Sequence, residues 1–305
     1  MHNSRYNDGT HNDGRHSDGR HSDEEHDHDK GLRFDLSTMI DRRRVLFGAA
    51  GAGALALLAA CGSSSTSAST AATSASTAAT NTAATNTAAT TTATSDLIAV
   101  PEETAGPYPG DGSNGVQILT ESGVVRSDIR TSFGSSTTDP GGVATTIQLT
   151  LLDVETGEPL QGAAVYLWHC DSAGNYSLYS QGVTGENYLR GVQESDANGL
   201  VTFLSYYPAC YSGRWPHIHY EVYPSLDSIT SSSNKIATSQ LALTDEVNQA
   251  VYADSRYSDS SSNYARVSLA TDNVFSDGTT NEIPTITGSV ADGYTLAMNV
   301  PVSAA

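Results

Sequence analysis

The stretch Pro208 to Tyr220 places Tyr211, Arg214, His217 and His219 within a span of nine residues. The two histidines are spaced i, i+2. On a strand that spacing sends both imidazoles to one face, while Ile218 and Tyr220 point to the other. Tyr211, delivered just ahead from a Pro/Gly loop, adds an oxygen donor to two nitrogen donors. This is the outline of a metal site. It requires a strand to carry the histidines, a loop to carry Tyr211, and further ligands from elsewhere in the chain.

The elements that must position these residues lie in residues 96–305, a stretch long enough for one sizeable core. Strand patterns dominate it. Thr146–Val154 alternates apolar and polar positions, and a turn follows at Glu155–Pro159. Ala163–His169 reads as a second strand. Asp196-Ala197-Asn198-Gly199 is a turn leading into a strand at Leu200–Leu204. Further strands are predicted at His217–Val222 and Ile236–Leu243. Short strands separated by Gly/Pro/Asp/Asn turns predict an all-β fold, an antiparallel sandwich core with long loops. No long segment carries a helical period. Residues 224–234 and 253–280 read as Ser/Asp/Asn-rich loops.

The N-terminal third reads as delivery rather than fold. Residues 1–41 form a His/Asp-rich leader with a five-residue repeat, Asp13-Gly14-Arg15-His16-Ser17 and Asp18-Gly19-Arg20-His21-Ser22 among its copies. Such tracts bind transition metals weakly, and nothing apolar is present to order this one. Arg42-Arg43-Arg44 precedes a run of 16 apolar and small residues, Val45 to Ala60. That is short of the ~20 residues a spanning helix needs. A basic region before a short apolar run is an export signal, here of twin-arginine type. It ends in Leu58-Ala59-Ala60-Cys61, which resembles a bacterial lipobox, so residues 42–61 are read as a signal with Cys61 as a lipidation site. Residues 62–95 are, after Gly62, wholly Ser, Thr, Ala and Asn, a linker lifting a domain off a membrane. The predicted address is bacterial and extracytoplasmic, lipid-anchored or secreted. The only predicted membrane contact is the lipid.

The chain has 305 residues and a formal net charge of −19. That excludes phosphate-backbone binding as a main activity, because nucleic-acid partners demand clustered Lys and Arg. Cleavage after residue 60 leaves three histidines, His169, His217 and His219, two of them in the motif described above. It also leaves Cys170 and Cys210 as an even pair beyond Cys61.

Upstream of the histidine strand, Trp168-His169-Cys170-Asp171-Ser172-Ala173-Gly174-Asn175-Tyr176 runs from a strand end into a polar loop. Here the sequence resembles the intradiol ring-cleavage dioxygenases, the catechol and protocatechuate dioxygenase superfamily. The resemblance covers roughly Glu102 to Leu243. It is carried in order by Glu103-Thr104-Ala105-Gly106-Pro107-Tyr108, by Arg126-Ser127-Asp128-Ile129, and by Gly157 to Gly162 with the strand to Trp168. Asn187-Tyr188-Leu189-Arg190-Gly191 with Asp196–Gly199 and Arg214-Trp215-Pro216-His217-Ile218-His219 complete it.

The resemblance implies one non-haem Fe(III) per domain, held by Tyr176, Tyr211, His217 and His219. Hard phenolate oxygens suit a ferric ion, where thiolates would select softer metals. It implies a catecholic substrate and O2, with cleavage between the two hydroxylated carbons to a cis,cis-muconate-type product. Tyr211 is the ligand expected to leave when catechol binds. Arg214 is expected to stabilise negative charge on the activated ring. Gln240 falls at a position beside the metal shell, although Ala242-Leu243-Thr244 departs from the family's usual aromatic run. Pro107 and Tyr108 are expected to line the substrate pocket. Tyr179, Tyr188, Tyr206 and Tyr207 compete as tyrosines but do not match ligand positions, and His169 reads as structural or as a support to the ligands. A Cys170–Cys210 disulfide would tie the two tyrosine loops together, with two buried thiols as the alternative. Two other functions compete: a non-catalytic sandwich for binding or adhesion, and a zinc or copper site on the same fold.

Overall fold

The computed structural model describes residues 96–304. The leader (1–41), the signal with Cys61 (42–61) and the linker (62–95) lie outside the described residues. Two four-stranded sheets build the rest, in the orders β4-β1-β8-β7 and β3-β2-β5-β6. The strands are β1 (Ala144–Asp153), β2 (Ala164–Trp168), β3 (Arg190–Glu194), β4 (Leu200–Tyr206), β5 (His217–Tyr223), β6 (Ala237–Ala242), β7 (Thr285–Ser289) and β8 (Gly293–Val302).

Side-chain alternation fixes the layers. In β1, Ile147, Leu149 and Leu151 are fully buried while their neighbours are half-exposed. Val201 and Phe203 of β4 and Leu296 and Val300 of β8 belong to the same core. From the other sheet come Val165, Leu167, Ile218, Tyr220 and Val222. The predicted β-sandwich is therefore present, and every strand pair but one is antiparallel. β1 and β8 run parallel. A parallel pair needs a long crossover, and the chain returns to the edge of β1 only after the excursion through residues 207–292. That excursion holds two short helices, α1 (Asp245–Tyr252) and α2 (Ser260–Tyr264).

Strands β2 and β5 are buried along their whole length, on both faces. One face meets the opposing sheet. The other carries Tyr166, Trp168, His217, His219 and Glu221 and is roofed by loops. The first described segment is part of that roof. Its Glu103 N–H donates to Thr238 O at 2.7 Å, and Glu102 Oε2 accepts from Thr238 N at 3.0 Å. These contacts cap the free edge of β6, an edge that would otherwise offer unpaired backbone groups. At the predicted 196–199 turn, Asp196 Oδ1 accepts from Asn198 N and Leu200 N at 2.8 and 2.9 Å. Gly199 has φ +74°, and a Cβ there would lie 2.3 Å from Leu151 O, so only glycine fits.

One buried carboxyl stands apart. Glu282 is fully buried and neither carboxyl oxygen has a hydrogen-bond partner. Burial, reinforced by Glu103, Asp277 and Asp272, pushes its pKa from 4.5 to about 8. A carboxyl whose pKa rises on folding holds its proton more tightly in the native state. Its contribution is complete below the unfolded pKa and is lost as pH rises through the folded one. Thermal denaturation should therefore show the melting temperature falling between pH 5 and pH 8.5. In Glu282→Gln that fall should flatten, with the variant gaining on wild type as pH rises. A wild-type fall that persists unchanged in the variant would place its origin elsewhere.

Candidate metal centre

His217 and His219 sit side by side on β5, ring centroids 4.8 Å apart and planes at 84°. His217 Nδ1 donates to Trp215 O at 2.5 Å, which leaves Nε2 as the bare acceptor. Tyr211 Oη lies 3.1 Å from that nitrogen, Tyr176 Oη lies 3.4 Å from it, and the two phenol oxygens are 3.4 Å apart. His219 stacks flat on Trp168, centroids 4.9 Å apart at 3°, and Trp168 in turn stacks on Tyr166. The structure thus brings together Tyr176, Tyr211, His217 and His219, from three separate segments.

Two loops deliver the tyrosines. Beyond β2 the chain folds around Asp171, whose Oδ1 accepts from Ala173 N and Asn175 N at 2.9 Å and whose Oδ2 accepts from Tyr188 Oη at 2.9 Å. Ser180 Oγ accepts from Tyr176 N at 2.9 Å. Leu178 and Leu189 hold positive φ, 74° and 56°. For branched side chains this is a strained conformation, and here it flanks the Tyr176 turn and the start of β3. The Tyr211 loop is held from the helical excursion. Tyr252 Oη donates to Pro208 O at 3.1 Å, Cys210 N to Ser260 Oγ at 3.0 Å, and Asn263 Nδ2 to Cys210 O at 3.0 Å.

Arg190 ties the Tyr176 loop to the roof. It is fully buried and faces only neutral acceptors: Ser177 Oγ and O, Tyr108 O, Pro109 O and Tyr166 Oη, at 2.9–3.1 Å. The segment it grips carries Pro107 and Tyr108 over the site, with the Tyr108 ring 5.0 Å from Tyr176 and 5.2 Å from Tyr179. Gly106, at φ +67°, passes so close that a Cβ would lie 3.4 Å from His219 Cε1 and 3.9 Å from its Nε2.

Arg214 is buried beside the tyrosines. Its Nε donates to Asp272 Oδ2 at 3.0 Å and its Nη2 to Gln240 Oε1 at 2.8 Å. Gln240 pairs with His219 across β5 and β6, and its amide donates to Thr104 O at 2.8 Å. Burial alone would weaken the guanidinium charge. Tyr211 and Asp272 outweigh it and hold the pKa above its ordinary value.

The remaining candidates fall outside the cluster. The phenol of Tyr179 is bonded to Asn114, that of Tyr188 to Asp171, that of Tyr206 to Asp139 and that of Tyr207 to Asn248. His169 is buried between Cys170 O and Ser205 Oγ at 2.8 and 2.7 Å, a structural position, and burial lowers its pKa to about 4. Cys170 and Cys210 are free, buried thiols, so the anticipated bridge is absent. Their sulfurs are engaged elsewhere, Cys170 Sγ 3.6 Å from Ala209 O and Cys210 Sγ 3.6 Å from Arg214 O.

The residues fit a metal. The two contacts of Tyr176 Oη, at 3.4 Å, are long for O–H···O or O–H···N bonds, so that phenol is gathered beside Tyr211 and His217 more than bonded to them. His219 Nδ1 is buried with no partner. Burial, and then Arg214, push the His217 pKa well below its ordinary value, while burial, and then His217, do the same for His219. Both rings are thus in the neutral, ligating form. Burial, and then Tyr211, push Tyr176 well above its ordinary value, so a cation is needed to draw off its proton. Among the described residues no group of three His, Cys, Asp or Glu could hold a metal. The nitrogen-and-phenol set is the candidate.

A family model described as dioxygenase matches residues 123–227, which include Tyr176, Tyr211, Arg214, His217 and His219. The fold is the β-sandwich of dioxygenases of this kind, and the match spans about a third of the chain. More narrowly, the chain is similar to intradiol ring-cleavage dioxygenases. It is 34% identical over 74 residues to the intradiol ring-cleavage dioxygenase prcA of Aspergillus niger, covering 24% of this chain and 23% of that protein. It is 36% identical over 75 residues to catechol 1,2-dioxygenase 2 of Acinetobacter lwoffii, covering 25% and 26%. The chain thus spans about a quarter of the length of these two relatives. A solved intradiol ring-cleavage dioxygenase from Tetranychus urticae aligns with a TM-score of 0.55 at 26% identity, covering 68% of this chain and 96% of that one.

Arg190 and Asp272 escaped the reading of the sequence as parts of the site. Arg190 lies within a recognised motif, but motif position alone does not show that it clamps two loops. Replacing it by Met strips one partner from each of several buried acceptors, at about 1–3 kcal/mol for each group left unsatisfied. A net loss of about 3 kcal/mol lowers the melting temperature of a domain of this size by about 6–12 °C. Scanning calorimetry of Arg190→Met should show a fall in that range, and a fall below about 2 °C would mean the clamp is dispensable.

Proposed function

We propose that the chain is an exported, non-haem Fe(III) intradiol dioxygenase that cleaves a catecholic compound between its two hydroxylated carbons. Both atoms of O2 enter a cis,cis-muconate-type product. The observation that supports this most is the convergence of two phenols and two neutral imidazoles beside a buried arginine, on a chain similar to this family. Bound ferric iron would supply Lewis acidity and accept electron density from a bound catecholate, opening the ring to O2.

The chain's own residues do the rest. His217 is held by Trp215 O with Nε2 turned toward the phenols, and His219 is fixed by its stack on Trp168. Tyr176 is locked by Ser180 and by the Arg190 grip on Ser177, so it serves as the fixed phenolate. Tyr211 is half-buried, on a loop tied to the helical excursion through the backbone of Pro208 and Cys210. It is the phenolate placed to move aside and to take a substrate proton on its Oη. Arg214 holds a permanent positive charge beside the ring, where negative charge develops. Pro107, Tyr108 and Gly106 wall the approach, and the closed roof limits water. Residues 42–61 would carry the protein out of the cytoplasm, with a lipid on Cys61 as its anchor.

Iron titration of purified protein should raise a visible tyrosinate-to-iron band, and zinc loading should leave the protein colourless. With catechol, 3,4-dihydroxybenzoate and hydroxyquinol offered in turn, an oxygen electrode should register uptake with at least one. Tyr211→Phe should weaken the band and cut uptake by at least about tenfold, in line with losses at metal-site residues. Unchanged colour and turnover in that variant would overturn the ligand assignment.

A further inference from the structure

We propose that Asp272 is a positioning and charge-compensating residue for Arg214, and that through it the site favours uncharged over carboxylated catechols. The inference rests on the role given above to Arg214. Asp272 lies beyond the segment that matches the family model, in a loop between α2 and β7.

Its carboxylate is fully buried and saturated. Oδ2 accepts from Arg214 Nε at 3.0 Å and Trp215 N at 2.6 Å, and Oδ1 accepts from Val274 N at 2.8 Å and Phe275 N at 3.1 Å. One oxygen is thus anchored by its own loop while the other orients the arginine. The Phe275 ring, 5.9 Å from Arg214 Cζ, completes the seat. Asp272 and Gln240 engage Nε and Nη2, whereas Nη1 takes part in neither bond. The guanidinium is fixed on two sides with one nitrogen left over.

The same pair sets the local charge. Arg190 is spent on carbonyls and hydroxyls, and Lys235 pairs with Glu221 and Asp111. Arg214 is the cation whose charge acts on Tyr176 and Tyr211, and Asp272 opposes that charge at 3.0 Å. A compensated arginine can orient toward an activated ring, yet it offers little net attraction to a substrate carboxylate. Removing the Asp272 charge while keeping its shape should reverse that balance.

Asp272→Asn is the direct test. The amide oxygen can still accept from Val274 and Phe275, while the amide nitrogen faces Arg214 and cannot accept. In the metal-free protein, the Arg214 Nε–H resonance should be protected from exchange in wild type and lose that protection in the variant. In the iron-loaded protein, kcat on catechol should fall about 10- to 100-fold, the range seen for residues that orient a metal site. The ratio of kcat/KM for 3,4-dihydroxybenzoate to that for catechol should rise about tenfold, the effect of one charge-assisted contact. A merely structural role would lower both substrates equally, so an unchanged ratio overturns the proposal, as does an unchanged Nε–H resonance. If Asp272→Asn does not fold, Asp272→Glu retains the charge but shifts it by one methylene. It should lower kcat with the ratio kept, and wild-type kcat in that variant overturns the positioning role. Wild-type protein that takes up no oxygen with any catechol would instead overturn the proposed function and leave the resonance to decide the Asp272–Arg214 contact.

Discussion

Two imidazoles and a phenol cannot be buried on the face of a sheet without something to satisfy them, and that constraint organises this domain. β5 carries His217 and His219 on the face turned away from the opposing sheet, where a sandwich strand would ordinarily meet water. They are nevertheless buried, because loops 102–111, 171–189 and 208–215 close over them. Burying polar groups is costly unless each finds a partner. The roof is accordingly built of polar contacts more than apolar ones. Asp171 organises one loop, Arg190 joins two, and Asp272 with Arg214 joins two more.

Such polar joints do what apolar packing does poorly: they fix direction. Hydrophobic burial is indifferent to a rotation of a few tens of degrees, whereas a buried guanidinium with five neutral acceptors has one arrangement. The strain at Leu178 and Leu189 belongs to the same account. A positive φ at a leucine persists only where surrounding contacts over-determine it. Here those contacts are the Ser180–Tyr176 exchange and the Leu189 N–H donated to Ile129 O. The stability of the sandwich core supports a site whose geometry is set by these directional bonds.

What could be read from the sequence divides along the same line. β1, β2, β4, β5 and β6 were legible from their periodicity, because alternation reports which face meets a core. β3, β7 and β8 were not read as strands: Thr285–Ser289 lies at the sheet edge with little burial, and the parallel placement of β8 depends on a crossover that no local pattern encodes. The cluster of candidate ligands was legible because a His-x-His pair on a strand and two tyrosines at loop positions carry chemistry in their types. Gln240 was placed in register despite the departure of Ala242-Leu243-Thr244, since β-pairing puts it opposite His219. The cysteines misled. Their even number and their positions beside both tyrosine loops suggested a bridge, but the two sulfurs turn toward different carbonyls. Asp272 was invisible because a buried ion pair between residues 58 apart in sequence leaves no periodic trace.

A division of labour follows from where these residues lie. The four ligand candidates and Arg214 all fall within the segment matched by the family model, residues 123–227. The groups that orient them come both from inside it, as Trp168, Ser180, Arg190 and Trp215 do, and from outside it: Thr104 and Tyr108 before it, Gln240 and Asp272 after it. If these four are the ligands of a ferric ion, as proposed, the metal restricts their types. The flanking segments bear no such restriction, yet they set how far Arg214 is neutralised, how Gln240 is oriented and how closely Gly106 approaches His219. Under the proposed function, selectivity among catechols would therefore turn on residues 102–108 and 269–277 while the ligand set stays the same. A centre held by clamps from other segments is a physical route from one chemistry to many substrates.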